Sequence, residues 1–459
     1  MPQAPIHIFK SYDIRGIYPK EIDEENIKQI VASIYKFFQD DRREPLEIVV
    51  GTDMRVSSPA LTTAAIETLV TLGATVIDVG IVSTPTFYFA VSHYKYECGL
   101  QVTASHNPSE WNGIKFVKRG KNGLVKIGKS TGMEKVKEMV MKNEPIVAVS
   151  GGSVTKKTGV LADEVENALK ILDNPEIGRF KVVADPANAM GGQYIEALFK
   201  KVSQDLVKMN FELDGTFPAH QPDPLQAKNL VDLQARVLSE KADLGLAPDG
   251  DGDRLFFIDE KGQIVPPTII TSIVATELLK ENPGDTIYVD VRYLLTPKKI
   301  VQENGGKLEI TKVGHAFITE SMNKSGGVFA GESSAHYYFR ATGNAESPMP
   351  IILAVLKVLT REKKSFSEVV EEYRRSYESG EFNFEVNNSA EIIESLKEEY
   401  KDGDLETMDG VAVNYPTWRF SVRTSNTEPL LRLNVEAYEK NVMEKNLKAL
   451  KALIESLAA

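Results

Sequence analysis

The sequence predicts an α/β protein with three related α/β domains that contain mixed sheets, followed by a fourth domain of α+β type. The first observation is the length of 459 residues, which corresponds to about three domains, with two to four as the range. The second is an alternation of short β-branched runs with longer amphipathic segments, which is typical of α/β folds. The third is one strand pattern that recurs three times along the chain.

The first domain is predicted over residues 1–150. A strand with the sequence LEIVVGTD is followed by a helix over residues 58–72, a second strand, ATVIDVG, and a further helix before CGLQVTAS. Strands that alternate with helical segments indicate parallel strands joined by helices.

The opening strand of this domain recurs twice. Residues 47–55, 180–187 and 285–292 read EIVVGTDMR, FKVVADPA and DTIYVDVR, each a buried type of strand that ends near an Asp. Each is followed further on by a strand that runs into a polar loop: GLQVTASHNP, ADLGLAPDGDGDR and GGVFAGESSAHY. Apolar strands that end in Asp occur in any α/β protein, so the polar loops carry the argument. We expect the second and third domains over residues 151–255 and 256–368.

The remainder of the chain differs in composition. A helical run over residues 349–359 leads into EKKSFSEVVEEYRRSY, after which strand and hairpin sequences dominate, with a charged helix over 390–400 and a closing helix. This pattern predicts the α+β domain over residues 369–459.

Composition excludes several classes of function. The net charge of −11, from 54 basic and 65 acidic residues, argues against nucleic acid or an anionic membrane as the main partner. The longest apolar run, residues 349–360, is shorter than a membrane span and contains Lys357. A single cysteine, Cys98, and six histidines without a zinc-binding spacing fit a reducing compartment. We expect a cytoplasmic protein; the sequence does not indicate its oligomeric state.

The loop APDGDGDR places Asp249, Asp251 and Asp253 at alternate positions, separated by glycines. Carboxylates this close raise one another's pKa unless a cation lies among them, and ligation by oxygen atoms alone suits Mg²⁺. The alternatives are a solvated acidic turn or a calcium loop. An EF-hand would need a Glu at its twelfth position, which Glu260 supplies, but the apolar run over 255–258 disfavours that interpretation.

The loop TASHNP brings Ser105 beside His106 after a buried strand, where a serine can act as a nucleophile or carry phosphate. A Ser-His pair in a turn is more often a capping arrangement. Shortly afterwards, WNGIK supplies Lys115, a cation that can neutralise phosphate or move a proton, although most lysines on hairpins lie at the surface.

Two later loops also carry polar groups. GESSAH offers Glu332, Ser334 and His336 at alternate positions, where a carboxylate and a hydroxyl could contact two sugar hydroxyls; an ordinary polar strand end is the alternative. RTSNTEP gathers a guanidinium, hydroxyls and an amide that suit phosphate oxygens. A turn would explain all of its residues except the arginine, Arg423.

Residues 123–130 read GLVKIGKS, a literal match to the nucleotide-binding pattern G-x-x-x-x-G-K-[ST]. A nucleotide loop follows an apolar strand directly, whereas KRGKN precedes this match. The segment is therefore predicted to be one strand of a β-hairpin with a glycine turn.

Taken together and in this order, TASHNP, WNGIK, DGDGDR, GESSAH and RTSNTEP resemble the α-D-phosphohexomutase family, most closely its phosphomannomutase/phosphoglucomutase branch. The resemblance covers nearly the whole chain and includes SYDIRG, HQPDP and VGH. It implies four domains around a central cleft that holds the active site, in agreement with the repeat.

The resemblance also implies a role for each candidate residue. Ser105 would carry the phosphoryl group as phosphoserine, and one phosphoserine oxygen would join Asp249, Asp251 and Asp253 around Mg²⁺. Tyr12, Arg15, His106 and Lys115 would surround that group, with Lys115 or Arg15 moving the proton. The implied substrate-binding residues are Arg254 and His315 for the sugar, Glu332 and Ser334 for two hydroxyls, and Arg423, Ser425, Asn426 and Thr427 for the non-reacting phosphate.

The implied activity is the reversible conversion of hexose 1-phosphate and hexose 6-phosphate, of mannose, glucose or both, through a hexose 1,6-bisphosphate. A phosphoglucosamine mutase, a phosphoserine-dependent phosphatase and a non-catalytic sugar-phosphate sensor remain as alternatives. One departure from the family pattern is Ala335, which stands where Gly is more frequent and is expected to narrow the sugar loop.

Overall fold

Four β-sheets follow one another in the computed structural model, which describes residues 4–40, 44–424 and 430–458. The strands of the first sheet are β1 (Ile14–Ile17), β2 (Glu47–Thr52), β3 (Thr75–Ile81), β4 (Cys98–Val102), β5 (Trp111–Arg119), β6 (Leu124–Lys126) and β7 (Ser153–Lys156). Their order is β1-β5-β4-β2-β3-β7, and β6 pairs with β5. The accompanying helices are α1 (Glu24–Gln39), α2 (Ser58–Thr71), α3 (Thr84–His93) and α4 (Met133–Lys142).

The second and third sheets have five strands each. The second contains β8 (Lys181–Ala184), β9 (Asp205–Lys208), β10 (Leu244–Pro248), β11 (Leu255–Asp259) and β12 (Ile264–Val265), with helices α5 (Val160–Ile171), α6 (Gly191–Val202) and α7 (Val231–Glu240). The third contains β13 (Thr286–Asp290), β14 (Lys307–Thr311), β15 (Phe329–Gly331), β16 (Tyr337–Phe339) and β17 (Ala345–Glu346), with helices α8 (Pro267–Glu281), α9 (Leu295–Glu303), α10 (His315–Ser325), α11 (Pro348–Glu362) and α12 (Phe366–Tyr373).

The strand order confirms the predicted repeat. In each of the three sheets the recurring strand, β2, β8 or β13, pairs in parallel with the next strand of its sheet on one side. On its other side it pairs in parallel with β4, β10 or β15, the strand that leads into the polar loop. The Asp that ends each recurring strand, Asp53, Asp185 or Asp290, accepts a hydrogen bond from the backbone N–H two residues later.

The fourth sheet is antiparallel throughout and confirms the α+β prediction. Its strands, in the order β18-β22-β21-β20-β19, are β18 (Tyr377–Glu385), β19 (Asp404–Glu406), β20 (Val411–Asn414), β21 (Trp418–Thr424) and β22 (Leu430–Ala437). Helices α13 (Ser389–Glu399) and α14 (Lys440–Ala458) complete this unit.

The second and third sheets share one hydrophobic core, whereas the first and fourth sheets have cores of their own. Helix α11, which contains the longest apolar run of the sequence, packs against α5 and α8 and is therefore buried on nearly every side. The second sheet continues past residue 255, to Val265. The domain boundaries themselves stay predictions. None of the helices in the described ranges is both long and apolar enough to cross a membrane.

The segment that matches a nucleotide-binding loop begins with strand β6. Lys118 and Val117 of β5 lie opposite Val125 and Lys126 of β6 in antiparallel register, so the hairpin prediction is confirmed. The apolar run that disfavoured a calcium loop is likewise strand β11.

Candidate active site

The loop after β4 holds Ser105 in a strained conformation. Ser105 has a φ of 51°, in the left-handed region that residues other than glycine rarely adopt. Its backbone N–H donates to Thr103 Oγ1 over 3.0 Å, and its hydroxyl donates to Asp249 Oδ2 over 3.0 Å and lies 3.1 Å from His106 Nδ1. Ser105 is buried rather than exposed as a free loop residue would be, because the second domain covers it.

Arg55 fixes this loop, and sequence reasoning missed it. Its guanidinium donates hydrogen bonds of 2.7–2.9 Å to the carbonyl oxygens of Ser105, Asn107, Pro108 and Trp111. The Arg55 side chain is fully buried and also pairs with Asp53 at 3.2 Å. Satisfying four carbonyls at once holds the loop in one conformation.

The acidic loop after β10 lies directly against Ser105. A Cβ added at Gly250 would lie 2.2 Å from the carbonyl oxygen of Ser105, so only glycine allows this approach. Asp249, Asp251 and Asp253 are all buried, and they offer one carboxylate oxygen each within 4.8 Å of one another. The three side chains thus converge, as their spacing predicted.

The environment of these carboxylates fits a divalent cation. Burial and repulsion from Asp253 and Asp251 raise the pKa of Asp249 to about 8. Asp251 Oδ1 is buried and has no hydrogen-bond partner among the described residues. A buried carboxyl group with a raised pKa, next to a carboxylate oxygen without a partner, is a donor set that a bound metal would stabilise. Asp251 is also oriented by Thr84, whose hydroxyl donates to Asp251 Oδ2 over 2.6 Å; no sequence pattern predicts this contact.

Lys115 and Arg15 supply positive charge on the other side of Ser105. Lys115 is buried, not a surface lysine, and its Nζ lies 2.6 Å from both Asp251 Oδ2 and Asp253 Oδ2. Although burial lowers the pKa of Lys115, the two carboxylates raise it well above its ordinary value. Arg15 on β1 pairs with Asp13 and donates to Asn107 Oδ1 over 2.5 Å and to the carbonyl of the residue before Ser105 over 3.3 Å.

The loop after β15 joins the acidic loop through His336. His336 Nε2 lies 3.2 Å from Asp253 Oδ1, and its Nδ1 lies 2.8 Å from Glu332 Oε2 and 3.2 Å from Ser334 Oγ. Burial and Arg254 lower the pKa of His336, but Asp253 and Glu332 outweigh them and raise it to about 9. The His336 ring therefore bridges the second and third loops.

Arg292 completes this third loop and was also missed. It pairs with Asp290 through two nitrogens, at 2.8 and 3.0 Å, and its Nη2 donates to Glu332 over 3.2 Å and to Ser334 over 3.3 Å. The available sequence signal was the repeat itself, because Arg55 and Arg292 stand two residues after the recurring Asp in the first and third copies.

Three further predicted residues border the same region. Arg254 directly follows the acidic loop, and its Nε lies 3.1 Å from His336 Nε2 and 4.0 Å from Asp249 Oδ2. His315 begins α10, and the ring of Tyr12 meets it edge-on at a centroid distance of 5.2 Å. Tyr12 also donates to the carbonyl oxygen of Val313 over 3.2 Å.

The fourth predicted loop is only partly described. Arg423 on β21 is buried and forms an ion pair of 2.9 Å with Glu381 of β18. Ser425, Asn426 and Thr427, predicted to bind phosphate, lie outside the described residues. The first three loops are therefore joined by direct contacts, whereas Arg423 of the fourth loop pairs with a residue of its own sheet.

Comparison with known families agrees with this arrangement of four units. Four family models match in succession: phosphoglucomutase/phosphomannomutase alpha/beta/alpha domains I, II and III over residues 7–144, 162–262 and 266–377, and the C-terminal domain over 381–452. The chain belongs to the phosphoglucomutase/phosphomannomutase family. It is a phosphohexomutase, an isomerase that interconverts hexose phosphates.

Individual members of this family are similar over their whole length. The phosphomannomutase of Methanocaldococcus jannaschii is 36% identical over 454 residues, covering 98% of both chains, and that of Vibrio cholerae is 34% identical over 460 residues, again covering 98% of both. A solved structure of a phosphoglucomutase/phosphomannomutase family protein from Burkholderia thailandensis has a TM-score of 0.87 and 29% identity, and the match covers 99% of this chain and 98% of that one.

Proposed function

We propose that this phosphohexomutase converts the 1-phosphates and 6-phosphates of both mannose and glucose, with Ser105 as the phosphoryl carrier. Phosphoserine would pass its phosphoryl group to the free hydroxyl of a hexose phosphate, giving a hexose 1,6-bisphosphate. The bond between phosphorus and Ser105 Oγ breaks, a bond to the sugar oxygen forms, and the proton of the sugar hydroxyl passes through a proton-moving residue to Ser105 Oγ, which becomes a hydroxyl again. After the sugar turns over, the other phosphate returns to Ser105.

The observation that carries this proposal is the environment of Ser105 Oγ. The hydroxyl lies 3.0 Å from Asp249 and 3.1 Å from His106, in a loop held by Arg55. A strained, buried serine beside an acidic cluster and several cations is organised to carry a charged group. Of the two proton movers that the sequence suggested, Lys115 is the better candidate, because a guanidinium such as that of Arg15 does not lose its proton.

The cation expected in the acidic loop is Mg²⁺. Asp249, Asp251 and Asp253 would hold it together with an oxygen of phosphoserine, as their buried and convergent carboxylates support. When bound, the ion neutralises charge on the phosphoryl group. Lys115 occupies the same carboxylates at 2.6 Å, so the ion and Lys115 would share this negative charge.

Sugar recognition is assigned to the third loop and phosphate recognition to the fourth. Glu332 and Ser334 both accept a hydrogen bond from Arg292 Nη2, which holds them next to each other. Two adjacent groups of this kind could contact two neighbouring hydroxyls of a sugar. Contacts at the 3- and 4-hydroxyls would ignore C2, where glucose and mannose differ. Arg423, with Ser425, Asn426 and Thr427, would hold the non-reacting phosphate.

Phosphorylation of Ser105 tests the carrier directly. After incubation with glucose 1,6-bisphosphate, peptide mass analysis should find phosphate on Ser105, and Ser105→Ala should abolish turnover. Phosphate at another residue only, or full activity of the variant, would refute the assignment. Release of free phosphate without isomer would instead identify a phosphatase.

Kinetics on two sugars test the recognition. Glu332→Ala should lower kcat/KM for mannose 1-phosphate and glucose 1-phosphate by similar factors, worth about 2–4 kcal/mol for charge-assisted hydrogen bonds in a closed site. Arg423→Ala should weaken the binding of every substrate without changing the preference between the two sugars. A Glu332 variant that loses activity on one sugar phosphate and keeps it on the other would contradict dual specificity. If the enzyme turned over glucosamine 1-phosphate alone, neither mannose nor glucose would be its substrate.

A further inference from the structure

The β5–β6 hairpin reaches out of the first domain and contacts the third. The backbone N–H of Leu124 donates to the carbonyl oxygen of Gly343 over 2.8 Å, and Asn323 Nδ2 donates to the carbonyl oxygen of Leu124 over 2.7 Å. Asn344 Nδ2 donates to the carbonyl oxygen of Asn122 over 3.1 Å. These contacts place the start of β6 at the boundary between the two domains.

Lys126, the last residue of β6, is buried at this boundary. Its Nζ lies 4.8 Å from the ring centroids of both Tyr88 and Tyr338, and it forms an ion pair with Glu346 Oε2. Lys126 is 2% exposed and Glu346 is not exposed at all. A buried lysine is costly unless it is paired, so the position of Glu346 is strongly determined.

The second oxygen of Glu346 faces His315. Glu346 Oε1 is buried, lacks a hydrogen-bond partner among the described residues, and lies 3.7 Å from His315 Nδ1. The other ring nitrogen, His315 Nε2, is also buried without such a partner in the described ranges. Buried polar atoms without partners are rare in proteins, and one that borders a binding cleft indicates a contact made with a ligand.

We infer that Glu346, held by Lys126, is a positioning residue for His315: its carboxylate faces Nδ1, keeps the proton on that nitrogen and leaves Nε2 as an acceptor for a sugar hydroxyl. A carboxylate beside one ring nitrogen favours the tautomer that carries its proton there. Burial lowers the pKa of His315, so the ring holds a single proton at neutral pH. This inference rests on the proposed function in that His315 faces the sugar.

A double-mutant cycle distinguishes a role of Glu346 in positioning His315 from a role only in holding the first and third domains together. Glu346→Gln should lower kcat/KM for hexose 1-phosphate about tenfold in the parent enzyme but less than twofold in the His315→Ala background. An equal loss in both backgrounds would overturn the inference, as would a His315→Ala variant with parental activity. Because Glu346→Gln leaves Lys126 unpaired, the cycle is repeated with Lys126→Met present, and the same non-additivity is expected.

A matched control is Glu277→Gln on α8. Glu277 is buried like Glu346 and pairs with Lys280 at 2.6 Å and Arg361 at 2.7 Å, within the same predicted third domain but apart from the active-site loops. This variant should lower the thermal midpoint and leave kcat/KM within twofold of the parent. A comparable loss of kcat/KM in the control would show that removing any buried carboxylate of this domain has the same effect, and would overturn the inference.

The tautomer of His315 gives a measurement that needs no substrate. In sugar-free protein, the ¹⁵N shifts of the ring, assigned by comparison with His315→Asn, should show the proton on Nδ1. In Glu346→Gln the Nε2–H form should appear. A parent protein with the proton on Nε2 refutes the inference while leaving the proposed reaction intact, whereas absence of mutase turnover with the expected Nδ1 proton refutes only the proposed substrates.

Discussion

Replacing Gly250 by Ala should separate Ser105, the proposed phosphoryl carrier, from the acidic loop. The added Cβ would lie 2.2 Å from the carbonyl oxygen of Ser105 and 3.1 Å from Pro222 Cγ. Favourable contacts between non-bonded atoms lie at about 3.5–4 Å. The two loops must therefore move apart by about 1 Å, because Arg55 holds that carbonyl oxygen at 2.8 Å and prevents it from yielding.

The expected cost falls on catalysis. A displacement of about 1 Å can lower a rate by about 10²-fold, which corresponds to about 2.7 kcal/mol in the activation barrier. The distance of 3.0 Å between Ser105 Oγ and Asp249 Oδ2 would lengthen by a comparable amount. Since the contact joins two domains with separate cores, the thermal midpoint should change little.

Steady-state kinetics with glucose 1-phosphate, together with thermal unfolding, would measure both effects. Gly178→Ala is the matched control, because its Cβ would meet Thr360 at ordinary distances of 3.4 and 3.6 Å; this variant should retain parental kcat/KM. If Gly250→Ala kept more than half of the parental kcat/KM, the close approach of the two loops would not matter for catalysis.

Three further substitutions have defined outcomes. Arg55→Lys keeps the charge but loses part of the hydrogen bonding to four carbonyl oxygens, so the free energy of unfolding should fall by about 1–3 kcal/mol. An unchanged thermal midpoint would show that Arg55 does not stabilise the Ser105 loop. Burial raises the pKa of Glu164 to about 7, although the hydrogen bond from Thr86 lowers it in part. The folded protein therefore holds this proton more tightly than the unfolded chain, and the wild type should lose stability as pH rises through about 4.5 to 7. Glu164→Gln cannot ionise, so its free energy of unfolding should exceed that of the wild type by up to about 3 kcal/mol near pH 8 and by little near pH 5. Equal thermal midpoints at the higher pH would contradict this. Ala335 has a φ of +65°, so Ala335→Gly should raise stability by up to about 1 kcal/mol, and a lower midpoint would show that the turn is unstrained.

The sequence predicted the fold because its signals are local and repeated. Three strands that end in Asp, and three polar loops after later strands, specify three equivalent sheets before any contact is known. The convergence of Asp249, Asp251 and Asp253 was predictable for the same reason, since alternate positions in one short loop must lie close together.

Long-range contacts were not accessible in this way. Arg55 contacts four carbonyls up to 56 residues away in the chain, and Thr84 reaches Asp251 over 167 positions. Neither set of partners has a local pattern in sequence. The Arg55 contacts depend on how the strands of the first domain fold together, and the Thr84 contact depends on how the first two domains pack. The burial of Ser105 and Lys115 was missed for the same reason: a loop that looks exposed in its own domain is covered by the next one.

The equivalence of the first three sheets has a consequence for how the site can change. The loop after the equivalent strand bears Ser105 in the first copy, the acidic cluster in the second, and Glu332 and Ser334 in the third. Each loop is attached to its own strand, so a substitution in one loop need not rebuild the strands that carry the others. On the proposed assignment, changes in residues 332–336 can therefore alter sugar recognition while the loop that holds Ser105 stays the same.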